Sequence, residues 1–162
     1  MGERKIKIPT VEQRKIEQLE NRQDTTDPLV ERIKTATEIY EENKDKTDIS
    51  IDDLKLLKIN VLKENCSEAI YDGFTVQGMH LGMNNHDQQN LTQQLLLIVA
   101  GQTENVQWNT KNVGVVELTP AQFSGVANAA KNHKMAEQAK YWGLEQSVVV
   151  ATSNEEVKTI IW

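Results

Sequence analysis

Two histidines and an aspartate fall within one polar stretch, Gly78 to Gln89 (GMHLGMNNHDQQ), and come nearer to a ligand set than anything else in the chain. Imidazole and carboxylate together suit a divalent transition metal. The spacing argues against one. A helix presents ligands three or four positions apart, whereas His80 and His86 are six apart in a segment rich in Gly and Asn. In such a loop, Asn and His side chains commonly satisfy nearby backbone groups. The expectation is a polar loop, with no metal and no cofactor. His133, between Asn132 and Lys134, reads as a solvated helix residue.

Cys66 is the only thiol, so no intramolecular disulfide and no cysteine zinc cage can form. Its neighbours in sequence offer nothing to lower its pKa, which reads as a small buried hydrophobe and not a nucleophile. The carboxylate pairs Asp52-Asp53 and Glu155-Glu156 stand at helix starts, where the amide dipoles favour negative charge. Trp108, Trp142 and Trp162 read as core anchors, since no basic groove accompanies them. The sequence carries no phosphate loop, nucleophile elbow, zincin motif or dinucleotide fingerprint. The chain is not expected to be an enzyme.

The elements that must hold these residues follow from periodicity and caps. In 162 residues, 38% are hydrophobic and only 5% aromatic, so the core must be built mainly from Leu, Ile, Val and Ala. A net charge of −6 without a concentrated basic face excludes a phosphate-neutralising surface, and nucleic acid is not an expected partner. Mean hydropathy is −0.55, and no apolar run approaches the ~20 residues of a spanning helix, so membrane insertion is not expected either. The N-terminus shows no secretory signal pattern.

From Ser50 to Gly73, Leu54, Leu57, Val61, Leu62, Ala69 and Ile70 recur at helical spacing. Phe74, Val76 and Met79 then alternate as in a strand, and residues 78–86 read as loop. Asp87 opens a helix whose apolar face is Leu91, Leu95, Leu96, Ile98 and Val99, stopped by Gly101. Residues 102–118 read as a hairpin around Asn109–Gly114. Thr119, Pro120 and Gln122 give an N-cap, a first-turn proline and a capping box for a helix reaching Trp142 and extending towards Val150. Ser153 with Glu156 caps a last short helix. Residues 49–162 are thus expected to form a compact domain with Phe74, Leu91, Leu95, Trp108, Val126, Trp142 and Val157 buried. The fold class is α+β, mostly α, with a small hairpin.

Residues 1–48 are sparser. Thr10 caps a charged helix with only Val11, Ile16 and Leu19 as apolar residues. After Pro28, the residues Leu29, Ile33, Ala36 and Tyr40 form a heptad-like stripe on a second helix. Ordering a residue costs about 1–2 kcal/mol of backbone entropy, and burying an aliphatic side chain returns about 1.5–3 kcal/mol. Three such side chains cannot support the stretch 10–23 alone. Two arrangements answer this: an extension covered by a partner chain, or two helices laid on the main domain. Residues 1–48 are taken as a helical assembly extension, with Val11, Ile16, Leu19, Leu29, Ile33 and Tyr40 as its partner-facing side chains.

A set of pieces from about residue 60 onward carries a resemblance. They are Cys66 with Ala69-Ile70, Gly73-Phe74, Asp87-Gln88 with Asn90-Leu91, Trp108, Leu118-Thr119 with Gln122, and Ala151-Thr152 with Glu155-Glu156-Val157 and Trp162. In this order and spacing the chain resembles an uncharacterised C-terminal domain family found in phage and prophage tail, tail-fibre and baseplate proteins. The resemblance implies a virion structural or adaptor protein of the tail, assembled in the bacterial host cytoplasm. It would bind other tail or baseplate proteins, itself included as a homo-oligomer. A tail-fibre assembly chaperone is the alternative expectation, and a cell-surface receptor-binding module a third. The resemblance brings no known active site.

Overall fold

The computed structural model describes residues 33–162. The chain divides into two units at Lys34/Thr35, and the account below concerns the second, Thr35–Trp162. Val11, Ile16, Leu19 and Leu29 lie outside the described residues. This unit includes a short helix upstream of residue 49.

That helix, α1 (Ala36–Asn43), starts eight residues after Pro28, later than the stripe suggested. Thr35 accepts from the Glu38 amide, and the Glu38 carboxylate accepts from the Thr35 amide at 2.8 Å. This reciprocal box fixes the helix start after Ile33. Ile33 and Tyr40 therefore do not share a helix face. Ser50 caps α2 (Ile51–Asp72), a 22-residue helix that buries Leu54, Lys58, Leu62, Cys66 and Ile70.

Gly73 ends α2 with φ at 92°. A Cβ there would fall 1.8 Å from the Leu81 carbonyl oxygen, so only glycine lets the helix turn directly into the next strand. β1 (Phe74–Val76) pairs antiparallel with β2 (Met79–Leu81), Phe74 opposite Leu81. Their two-residue turn has φ of 50° at Gln77 and 79° at Gly78, the double positive φ that a tight hairpin's twist demands. The sequence reading missed this second hairpin, since three-residue strands hardly display a period.

Asn84 caps α3 (Asn85–Val99), with Asp87 at the third position returning its carboxylate to the Asn84 amide. Asp87 is thus the back half of the capping box and not the first cap. β3 (Val106–Thr110) and β4 (Gly114–Leu118) form the expected hairpin, with Trp108 opposite Val116. Thr119, Pro120 and Gln122 open α4 (Pro120–Val150) as the sequence indicates. At ~1.5 Å per residue its 31 residues run for about 46 Å. Ser153 caps α5 (Asn154–Thr159). The fold is α+β and mostly α.

Two clusters of buried side chains result. In one, Cys66 and Ile70 of α2 meet Phe74, Leu81, Met83, Leu91, Val106 and Leu118, all against Phe123, Val126, Ala127 and Ala130 of α4. In the other, Leu54 and Leu62 of α2 meet Tyr40, Val148, Ala151 and Val157. Tyr141 and Trp162 pack against both. Trp142 does not follow the expectation: it is 60% exposed, and its neighbour Tyr141 takes the inward direction.

Candidate functional site

The two hairpins and the end of α2 bring together the polar residues that first suggested a site. The Lys111 amide donates to the His80 carbonyl at 2.8 Å, and the His80 amide donates to Asn112 Oδ1 at 2.8 Å. Asn112 Nδ2 reaches the Gly78 carbonyl at 2.9 Å, and Lys111 Nζ holds the Asp72 carbonyl and Oδ1. The turn of the β3–β4 hairpin thus clasps the β1–β2 hairpin. His80 is fully engaged within the clasp. Its Nε2 lies 3.0 Å from the Asp72 carbonyl and its Nδ1 lies 3.1 Å from Thr75 Oγ1. A carbonyl only accepts, so Nε2 must carry the proton; in the neutral ring Nδ1 then accepts from the threonine hydroxyl.

His86 is exposed in the first turn of α3, and Asp87 is spent on capping. Among the described residues, no three His, Cys, Asp or Glu side chains are placed to hold a metal ion. Within this segment the side chains of His80, Asn84, Asp87 and Gln88 bond nearby backbone groups.

The remaining reactive groups are equally occupied. Cys66 is buried, and its thiol donates to the Glu137 carbonyl at 3.6 Å. Burial, with the Glu137 charge adding to it, pushes the thiol's pKa up, which is the wrong direction for a nucleophile. His133 is half-buried rather than solvated: Nε2 donates to the Ala69 carbonyl at 3.1 Å, and the ring lies 5.9 Å from Phe74. Asp53 accepts from the capping Ser50 hydroxyl, and Glu156 accepts from the Thr152 amide at 2.6 Å. Those hydrogen bonds to its charged form lower the Glu156 pKa.

Of the six side chains expected to face a partner, two lie in the described region, and they differ. Ile33 is 92% exposed. Tyr40 is only 4% exposed, inside the second core of its own unit, which corrects its place among the partner contacts. There the Lys58 ammonium sits 4.2 Å from the Tyr40 ring centroid and donates to the Ile160 carbonyl at 3.0 Å. Burial pushes the Tyr40 pKa up and the Lys58 pKa down.

The surface that stands out is at the far end of α3. Leu96, Leu97 and Val99 are 63%, 54% and 78% exposed, and Leu91 is the only fully buried residue of this 15-residue helix. Leu97 lines an open groove with Val106 and Trp108 of β3. From Gln88 to Thr103 there is no charged residue. The sequence signal was present: five consecutive apolar residues, Leu95 to Val99, point in every direction around a helix, so one neighbour cannot cover them all.

The sequence of residues 53–161 fits the family model described as Domain of unknown function (DUF4376). The chain belongs to this family. No curated protein matches it, and no solved structure matches it. The DUF4376 region begins in the first turn of α2 and holds both hairpins, the clasp, α3 and α4. α1 lies upstream of it, yet its Tyr40 helps to fill the second core.

Proposed function

We propose that this DUF4376 chain is a structural or adaptor protein of a phage or prophage tail, in the tail-fibre or baseplate region, working by protein–protein binding. The observation that carries the reading is the uncharged, aliphatic end of α3. Leaving Leu96, Leu97 and Val99 in water forgoes about 1.5–3 kcal/mol for each side chain that a partner would cover. Concentrated apolar surface of this kind marks interaction sites on acidic, charged proteins. The groove beside it is lined by Leu97 and Trp108, and an aromatic next to an aliphatic suits a buried anchor from a partner.

The order of motifs from Cys66 to Trp162 supports the choice of a tail protein as that partner. Residues 1–34 would add a second contact through Val11, Ile16, Leu19, Leu29 and Ile33, with Ile33 exposed. The protein would be assembled in the host cytoplasm and kept in the virion tail. Mass spectrometry of purified particles tests this directly. Stoichiometric presence is expected, and a Leu97→Asp variant should fold yet be missing from particles. Absence of the unaltered protein from particles would sink the reading.

A further inference from the structure

The outward face of α4 is unusual for a helix in water. Its exposed residues from Asn128 to Val150 include Asn128, Asn132, Met135, Ala139, Trp142, Gln146 and Val149, alternately four and three positions apart. That spacing places them on one face of the helix, where Met135, Ala139, Trp142 and Val149 are apolar and Asn128, Asn132 and Gln146 are neutral amides. Charge is absent from it. Lys134, Glu137 and Glu145 lie on the inward half, where Lys134 binds Gln88, Glu137 lies 4.0 Å from His133, and Glu145 accepts from Tyr141. Lys140 is folded over the Trp162 ring, 4.1 Å from its centroid, and Lys131 lies on the flank.

Gly143 provides an independent sign. A glycine inside a helix costs about 1 kcal/mol relative to alanine. A Cβ on Gly143 would meet nothing within 4 Å, so packing within the unit does not explain it. It leaves an open socket one residue from the exposed indole of Trp142.

We propose that this face binds a second copy of the chain, as an antiparallel helix pair with its two-fold axis at Ala139. A two-fold contact needs a self-complementary surface, because residue i meets j and j meets i. About Ala139 the stripe meets this demand. At equal heights along the pair, Met135 shares a layer with the second copy's Gly143, Trp142 with its Ala136, and Asn132 with its Gln146. Each of these apolar layers joins one large residue to one small one, and the Asn132–Gln146 layer joins amide to amide. Ala139 meets its own copy at the axis, where a small side chain allows close approach. On one flank the Trp142 ring comes beside the second copy's Met135, a favourable thioether–aromatic contact. An uncharged face also avoids the like-charge repulsion that a two-fold imposes on charged ones.

The contact's size sets its strength. A strip about 33 Å long and 10–12 Å wide buries on the order of 650–800 Å² across both copies. Stable pairs bury about 1,200 Å² or more, so this one is reversible and concentration-dependent. It is separate from the α3 surface proposed to bind a tail protein, and either can fail without the other.

Sedimentation velocity on the full chain from about 5 to 200 µM should show monomer giving way to a species of twice 18.4 kDa. Ala139→Glu sets two carboxylates at the axis and should weaken association at least tenfold with the helical circular dichroism unchanged. Trp142→Ala should weaken it too. Register is read by cross-linking: Ala139→Cys should form an intermolecular disulfide on mild oxidation. Gln146→Cys alone should not, its two copies lying about 21 Å apart along the pair, far beyond disulfide reach. Mixed with Asn132→Cys, it should. A monomer at 200 µM overturns the proposal. So does a dimer that Ala139→Glu leaves intact, or a disulfide at 146 alone and not at 139.

Discussion

Around Leu54 and Val157 the chain closes its core with helices and the segment after α4, whereas around Phe123 it recruits two hairpins and a helix that it only partly covers. The core around Leu54 and Val157 draws on α1, the near half of α2, the far end of α4 and α5. It is tight enough to trap Lys58, and to leave the Tyr40 hydroxyl and Asn154 Oδ1 without hydrogen-bond partners among the described residues. The core around Phe123 uses short strands whose reach is limited, and α3 rests against it through little more than Leu91, Leu95 and Ile98. Apolar residues are in surplus there, and they emerge at Leu96, Leu97 and Val99. Polar groups are trapped where the core is tight, and apolar surface is left over where it is loose. The loose end is where a partner gains most.

The strongest way to break this contrast is to empty each core in turn. Phe123→Ala removes a fully buried ring that meets Trp108 edge-on at 5.3 Å, and should cost about 3–5 kcal/mol. Leu54→Ala in the other core should cost about 2–5 kcal/mol. Because Tyr141 and Trp162 touch both cores, urea unfolding followed by circular dichroism should stay a single transition in each variant. Two resolved transitions would mean the cores fold separately.

Next in size is Gly73→Ala. The left-handed backbone costs roughly 1–2 kcal/mol for an L residue, and the Leu81 carbonyl stands where the methyl must go. A loss of at least about 2 kcal/mol is expected in the same urea assay; a neutral result would show that α2 and the first hairpin can part.

A pH titration probes the junction between the cores. The Tyr141 pKa is pushed up to about 12, first by burial and then by its hydrogen bond to Glu145, 2.7 Å away. A raised pKa means the folded state holds the proton more tightly. The resulting stability is complete below the unfolded value of 10.0 and declines as pH rises through the folded one. Tyr141→Phe should remove that part of the decline in urea midpoint between pH 10 and 12. An unchanged slope would show the phenol to be unburied.

The smallest effect on stability should come from Leu97→Asp. At an exposed position it should stay within about 0.5 kcal/mol of the parent chain in urea midpoint, while binding to a tail partner is lost. A large destabilisation would mean that the α3 end is already covered within the chain.

The local signals in the sequence were decisive where three or four residues hold all the interacting groups. Thr119, Pro120 and Gln122 fix the start of α4, Ser50 and Ser153 cap their helices, and Gly73 ends α2. Each of these is a hydrogen bond or a backbone restriction within one turn, so no distant contact can redirect it. Phe74, Leu91, Val126 and Val157 were legible as core from their spacing. The tertiary structure alone decided which side of an ambiguous helix faces inward. α4 is apolar or small on more than one side, so its periodicity could not choose between Tyr141 and Trp142. Their directions differ by about 100°, and the choice falls to whichever side α2 and the C-terminus occupy. Tyr40 went inside for the same reason, since the groups that bury it come from α2, α4 and α5, and His133 was drawn half inward by Phe74 and Ala69. Local sequence determined where α2, α4 and α5 begin; only the packing of distant elements determined which faces were left for partners, because a face is covered by whatever the rest of the chain brings to it.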